Sequence, residues 1–290
     1  MVFRGKNSPE IDSPEIDSPE MDLRLFGVLF WHISSLHGQR SEKDTHVLTL
    51  HGMARSALDF ARDIAGAQVH DLGLDLAIIT FVDAGLASLA LAAILEIAGD
   101  STKFTYDRPV KTQYGGDGIR RHGEKFVYSS KCPVHKYEFG KTNVEGTEMT
   151  TAMQDLLDAV NLLVPGEEFN AAFIVHYRST EDGISWHGDH GVGPDTTVGV
   201  LAVSIGQSRI FKVRENKKSG IKPLQIHTKH GETLIMYGQN FQKLAMHAVT
   251  PLVVRHSNPP QVPGIVGRYG ITFRRHSEKE QKVAAKRKRD

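Results

Sequence analysis

The stretch "RYGITFR", residues 268–274, decides how this 290-residue chain is read. Its aromatic and β-branched residues suit a strand, and in a strand every second side chain points the same way. Arg268, Gly270, Thr272 and Arg274 therefore share one face. On a surface, two such arginines would make ordinary salt bridges. Aimed into the interior of a sheet sandwich they are costly unless an anion meets them. The neighbouring segments decide between these readings.

"NAAFIVHY" (170–177), "TTVGVLAVSIG" (196–206), "RIFKVRE" (209–215), "KPLQIHT" (222–228) and "ETLIMYG" (232–238) are short, β-branched or aromatic, and separated by turn residues. Ahead of them, "LAIITFV" (76–82) reads as a strand and "AGLASLALAAILEIAG" (84–99) as a helix ending at Gly99. "TTAMQDLLDAVNLLVPG" (150–166) reads as an amphipathic helix opened by threonine and closed before Pro165. "ARSALDFARDIA" (54–65) forms another, with Ala54, Leu58, Ala61 and Ala65 on one face. Helices first and strands afterwards predict an α+β chain whose C-terminal half is an antiparallel sandwich or jelly roll. Inside it, a dicarboxylate such as 2-oxoglutarate would satisfy both arginines.

Between two of these strands lies "SWHGDHG" (185–191). Residues i and i+2 of an extended chain face the same side, so His187 and Asp189 present an imidazole and a carboxylate to one cation. A third ligand must come from elsewhere, and His247 in "LAMHAVTP" (244–251) is the best donor. His190 and His230 are alternatives, although His190 directly follows Asp189 and faces away. Two histidines and a carboxylate that leave positions open are the ligands of non-haem Fe(II) oxygenases, and the same groups hold catalytic zinc. The paired arginines favour iron with a keto acid. Alanine at any one of the three ligands is expected to abolish turnover and leave the fold nearly intact.

Composition narrows the setting. Cys132 is the single cysteine, which excludes an internal disulfide and a cysteine-based metal cluster and suits a reducing compartment. The richest apolar run is interrupted by Asp83 and Glu96, so no membrane span is predicted. Residues 1–22 carry "SPEID", "SPEID" and "SPEMD", a Ser-Pro-acidic period that predicts a disordered acidic tail. Residues 23–73 form a partly helical extension, 74–276 the main domain and 277–290 a basic tail. "KRKR" (286–289) in that tail fits a nuclear import signal, which places the protein in the nucleus or otherwise the cytoplasm.

"FNAAFIVHYRSTEDGISWHGD", "VSIGQSRIFKVR", "HGETLIMYG", "MHAV" and "RYGITFR", in this order within residues 74–276, resemble the AlkB-like Fe(II)/2-oxoglutarate-dependent dioxygenases. The resemblance implies a double-stranded β-helix (jelly-roll) core with N-terminal supporting helices and a nucleotide-recognition lid. It implies Fe(II), 2-oxoglutarate and O2, with His187, Asp189 and His247 as iron ligands. Arg268 would pair the distal carboxylate of 2-oxoglutarate, Arg274 would sit near the proximal one, and Tyr177 would offer its hydroxyl. Many relatives have Asn where this chain has Val175 and Gly270, and an acidic residue where it has Gly191. Those departures remove polar contacts near the cosubstrate and the base.

Residues 108–140 look like the family's lid. They interleave Arg108, Lys111, Arg120, Arg121, Lys125, Lys131 and Lys136 with Tyr114, Phe126, Tyr128, Tyr137 and Phe139. Cations track phosphates while aromatics stack bases, and an enzyme acting on a base must extrude it. A mobile loop is expected there, with Tyr114, Arg120, Arg121, Tyr137, Phe139 and Trp186 binding substrate and Phe139 stacking on the extruded base. The predicted function is oxidative demethylation of an N-methylated nucleobase in methylated DNA or RNA, DNA favoured, by a monomer that binds no membrane. Its rivals are oxidation of 5-methylcytosine as in the TET/JBP group, hydroxylation of a protein or small molecule, and a non-catalytic nucleic-acid-binding module.

Overall fold

The computed structural model describes residues 56–98, 104–106, 108–111, 117–120, 122–139, 142–189, 198–251 and 262–277. The Ser-Pro repeat, Tyr114, Arg121, His190, Gly191 and the basic tail from residue 278 lie outside these residues, as does the extension up to residue 55.

The first helix, α1 (Ala57–Ala61), begins at Ser56, whose hydroxyl accepts the Asp59 amide at 3.1 Å. It buries a different face from the expected one. Ala57, Phe60, Ala61 and Ile64 pack on the core, while Leu58 is 69% exposed and Ala65 is exposed. Positions i, i+3, i+4 and i+7 counted from Ala57 carry Phe60 and Ile64, so that stripe buries more apolar area than the one through Leu58 and Ala65.

Strands β1 (Gln68–Gly73) and β2 (Leu76–Val82) form a hairpin, so the main sheet starts ahead of the boundary expected at 74. Helix α2 (Ala84–Ala98) follows, started by Asp83, whose carboxylate accepts the Leu86 amide at 2.8 Å. A separate hairpin pairs β3 (Arg108–Lys111) with β4 (Asp117–Arg120). Next come β5 (Gly123–Tyr128), β6 (Lys136–Phe139), β7 (Thr142–Glu148) and helix α3 (Thr151–Leu163), capped by Thr150. The C-terminal half is β8 (Ala171–Tyr177), β9 (Ile184–His187), β10 (Val198–Gly206), β11 (Arg209–Glu215), β12 (Leu224–Thr228), β13 (Glu232–Tyr237), the short helix α4 (Phe241–Leu244), β14 (Ala245–Thr250) and β15 (Arg268–Arg274).

Nine strands form one sheet in the order β1-β2-β13-β10-β15-β8-β5-β7-β6, and four form another in the order β12-β11-β14-β9. This is the jelly-roll arrangement. On one face of the large sheet, Tyr269, Ile271 and Phe273 join Ile174, Leu201, Val203 and Ile205 against Ala90, Ile94, Met153 and Leu157 of the two helices. The opposite face, which carries Arg268 and Arg274, looks toward the small sheet. Gly267 sets the entry to β15: its φ is +72°, and a Cβ there would fall 2.0 Å from the Tyr177 carbonyl oxygen. Among the described residues no helix is long and apolar enough to cross a membrane.

Residues 108–140 do not form one mobile lid. Strand β5 lies inside the large sheet between β8 and β7, and Gly123, Glu124, Lys125, Phe126 and Val127 are all buried. Strand β6 closes the same sheet, while β3 and β4 stand apart from it. The stretch "GEKFVY" reads as a polar loop because it alternates charge with aromatics. Both charged residues are nonetheless covered on the two faces of a central strand.

Candidate active site

His187 ends β9, Asp189 follows two residues later, and His247 on β14 stands directly opposite His187 in the register. One ligand atom from each lies within 4.8 Å of the others. Asp189 Oδ1 is 3.8 Å from His187 Nε2, and its Oδ2 is 3.7 Å from His247 Nε2. A bulge in β9 makes this possible. His187 faces His247 and Ile184 faces Val249, so three residue steps on β9 match two on β14. Both His187 and Ile184 consequently line the cavity, and Ser185 turns its carbonyl to His187 Nδ1 at 2.8 Å. A carbonyl only accepts, so Nδ1 carries the hydrogen and Nε2 keeps its lone pair for a metal. On the next residue pair, Gln242 of α4 accepts the Asp189 amide at 2.8 Å, and a Cβ on Gly188 would lie 2.7 Å from the Gln242 carbonyl.

Burial first, then the neighbouring His187, hold His247 near a pKa of about 3, the neutral form that ligates metal. His276 is held at about 4 by burial and Arg274, and burial also lowers His176. Unfolding returns each to an ordinary value near 6.5, so the unfolded chain binds more protons below it. Stability of the metal-free protein is therefore complete above 6.5 and lost as pH falls from there towards 4. Melting curves between pH 8 and pH 4.5 check this, and a midpoint that holds or rises on acidification contradicts it.

The arginines divide their work. Arg274 donates from Nη2 to Asp189 Oδ1 at 2.5 Å and from Nη1 to the Tyr137 hydroxyl, so it orients the carboxylate of the metal cluster. Arg268, buried, donates from Nη2 to the hydroxyls of Ser204 (2.8 Å) and Thr228 (3.3 Å). Its Nε has no hydrogen-bond partner among the described residues. Its guanidinium lies 5.2 Å from the Tyr177 ring. Burial pushes the Tyr177 hydroxyl up to about 12, with Arg268 and Arg209 offsetting part, so it stays a donor. Arg209 is the residue that sequence reading missed. It is 0% exposed, donates to the Ser179 carbonyl at 2.7 Å, and is lowered to about 10 by burial and by Arg268. The signal was the alternation in "RIFKV", which puts Arg209 on the inward face with Phe211 and Val213.

His187, Asp189, His247, Tyr177, Arg268 and Arg274 line one cavity of about 80 Å³ between the sheets, and Arg209 stands outside that lining. Two imidazoles and a carboxylate on its wall suit a divalent cation, and a buried guanidinium bonded to neutral hydroxyls suits a carboxylate. The residues fit Fe(II) and a keto diacid. Tyr137 reaches the cavity through its bond to Arg274, but its ring is buried on Phe173 (4.5 Å between centroids) and is not free to meet a base. Trp186 lies outside the cavity, with Arg214 4.4 Å above its ring. As the neighbour of the inward His187 it faces the other side of β9. Arg120 and Phe139 have backbones in β4 and β6, and their side chains are outside the description.

A jelly roll holding a His-Asp-His cluster and buried arginines in one cavity is the architecture of iron- and keto-acid-dependent oxygenases. The sequence profile of the "2OG-Fe(II) oxygenase superfamily" matches residues 90–274, and the chain belongs to that superfamily. Its members use Fe(II), 2-oxoglutarate and O2. The chain is similar to "DNA oxidative demethylase ALKBH2" of Arabidopsis thaliana, 23% identical over 112 residues, which are 39% of this chain and 36% of that relative. It thus spans about a third of that relative's length, a match in line with the AlkB-like resemblance. A solved structure described as "The structure of OsALKBH1" aligns with 72% of this chain and 100% of its own, at 14% identity and a TM-score of 0.43.

Proposed function

We propose that this chain is a Fe(II)/2-oxoglutarate-dependent dioxygenase that oxidatively demethylates an N-methylated nucleobase in nucleic acid, with DNA favoured. The observation that carries the reading is the single buried cavity lined by His187, Asp189, His247 and Arg268. Iron held by the first three, with the keto acid, supplies O2 activation for hydroxylating a C–H bond as 2-oxoglutarate becomes succinate and CO2. His187 and His247 ligate as neutral imidazoles, and Arg274 keeps Asp189 turned toward them. Arg268 and Tyr177 grip the keto acid. A hydroxylated N-methyl group is a hemiaminal, which releases formaldehyde and leaves the bare base. The DNA preference rests on the name of the Arabidopsis relative. The segment carrying β3 and β4, whose sequence interleaves basic and aromatic residues, is the proposed nucleic-acid contact, and the basic tail directs the protein to the nucleus.

Incubation with Fe(II), 2-oxoglutarate and a panel of methylated oligonucleotides, followed by mass spectrometry, tests the reading. Loss of an N-methyl group with formaldehyde and succinate supports it. Hydroxymethylcytosine in its place moves the substrate to 5-methylcytosine, and no keto-acid turnover with any oligonucleotide leaves a protein or small-molecule hydroxylase or a non-catalytic binding module. Phe139→Ala should weaken substrate binding by roughly 1–3 kcal/mol, as loss of one base–aromatic stack does. Arg120→Ala and Arg121→Ala should each weaken binding to all sequences and reduce the salt slope by about one. Titrations at several salt concentrations read both, and salt-independent binding by the unaltered protein speaks for a different substrate.

A further inference from the structure

The same cavity wall holds an acid that the reading above does not use. Glu124, on β5, is 2% exposed and lines the cavity. In the register Glu124 opposes Val175, Val175 opposes Gly270, and Gly270 opposes Ser204. The four make one row across the large sheet. That row lies between the row of Arg268 and the row of Arg274, two residues from the first along β15. Its middle, Val175 and Gly270, offers no polar side-chain atom. The charge of Glu124 is felt at the hydroxyls of both Tyr177 and Tyr137, which stand with Arg268 and Arg274 respectively.

A lone carboxylate here would repel a bound dicarboxylate at close range. His122, also 2% exposed, changes that. Its Nε2 is 3.1 Å from Glu124 Oε1, and its Nδ1 is 3.1 Å from the carbonyl of Gly183. The carbonyl only accepts, so Nδ1 bears a hydrogen. The contact between Nε2 and Oε1 then holds one proton, whether the pair is written as imidazolium and carboxylate or as imidazole and carboxylic acid. In both forms the pair has no net charge. Gly183 leads directly into β9, and a Cβ on it would lie 2.7 Å from the Val249 carbonyl, so the histidine ties this wall to the strand that carries His187.

We propose that His122 and Glu124 form a charge-neutral pair that presents a polar carboxyl group to 2-oxoglutarate in the row where Val175 and Gly270 present none, with His122 present to keep that carboxyl from repelling the dianion. The proposal rests on the keto-acid reading above.

Equilibrium binding of 2-oxoglutarate to the full chain loaded with Mn(II), measured by calorimetry, tests it. His122→Asn keeps a donor near the Gly183 carbonyl but removes Nε2 from Glu124 Oε1, so the carboxylate loses the proton that the pair shares and binding should weaken roughly tenfold or more. Glu124→Gln alone keeps a neutral polar group and should stay within about threefold. The double variant should return to within about threefold of the unaltered protein, a rescue that a merely structural histidine would not show. Glu124→Leu, which leaves the bond to Gly183 alone, should weaken binding roughly two- to tenfold, so the proposal does not depend on how well the His122 variant folds. Unchanged affinity in His122→Asn or Glu124→Leu, or a double variant no tighter than His122→Asn, overturns the pair's role. If the unaltered protein itself does not bind 2-oxoglutarate, the keto-acid reading falls, and the pair's role with it.

Discussion

His187→Ala and His247→Ala are expected to abolish turnover and leave the protein folded, whereas Asp189→Ala should abolish turnover and destabilise the fold as well. The three residues supply the metal-ligand atoms, so any loss breaks the set. Their structural burdens differ. His247 Nδ1 has no hydrogen-bond partner among the described residues, His187 Nδ1 meets the carbonyl of Ser185 two residues away, and replacing either histidine leaves the bond between Asp189 and Arg274 in place. Asp189 bonds Arg274 at 2.5 Å where both side chains are almost wholly buried. Taking the carboxylate away from a buried guanidinium costs about 3–5 kcal/mol. The expectation that replacement spares the fold is therefore kept for the two histidines and revised for Asp189. Succinate formation and urea denaturation measured side by side check it. An Asp189→Ala protein as stable as the unaltered one would show that Arg274 does not depend on that carboxylate.

Arg268→Lys is expected to raise the 2-oxoglutarate requirement about ten- to a hundredfold, since a hydrogen bond to a charged group is worth about 1.5–3 kcal/mol. Lysine keeps the charge but not the planar fork. Nη2 bonds Ser204 and Thr228 and the Tyr177 hydroxyl also bonds the guanidinium, while Nε has no hydrogen-bond partner among the described residues and is left for a carboxylate. Ser204→Ala tests the support separately and should give a smaller rise, because one neutral partner is lost. An Arg268→Lys protein with an unaltered requirement would place the keto acid elsewhere in the cavity.

Much of this was legible because strands obey a period of two. The even spacing in "RYGITFR" puts Arg268 and Arg274 on the cavity face and Tyr269, Ile271 and Phe273 under the helices. Local rules could not supply what depends on neighbouring strands. The bulge in β9 breaks the alternation, bringing Ile184 to the cavity face together with His187, and no residue in "GISWHGD" announces it. The partners of Arg274 were hidden for a similar reason: the even spacing puts Arg274 on the cavity face, but only the fold reveals its bonds to Asp189 and Tyr137. The segment holding "HGEKF" is expected in a mobile loop, yet His122 and Glu124 are buried, with Nε2 3.1 Å from Oε1. Pairing across the sheet decides such cases, and a single sequence does not display it.

The most direct measurement is a crystal structure of the protein grown with Mn(II) and 2-oxoglutarate, using anomalous scattering to locate the metal. The account predicts one manganese bonded to His187 Nε2, Asp189 and His247 Nε2, with a carboxylate of 2-oxoglutarate on Arg268. Manganese bound at other residues, or a keto acid that leaves Arg268 with Ser204 and Thr228 as its only partners, would contradict it.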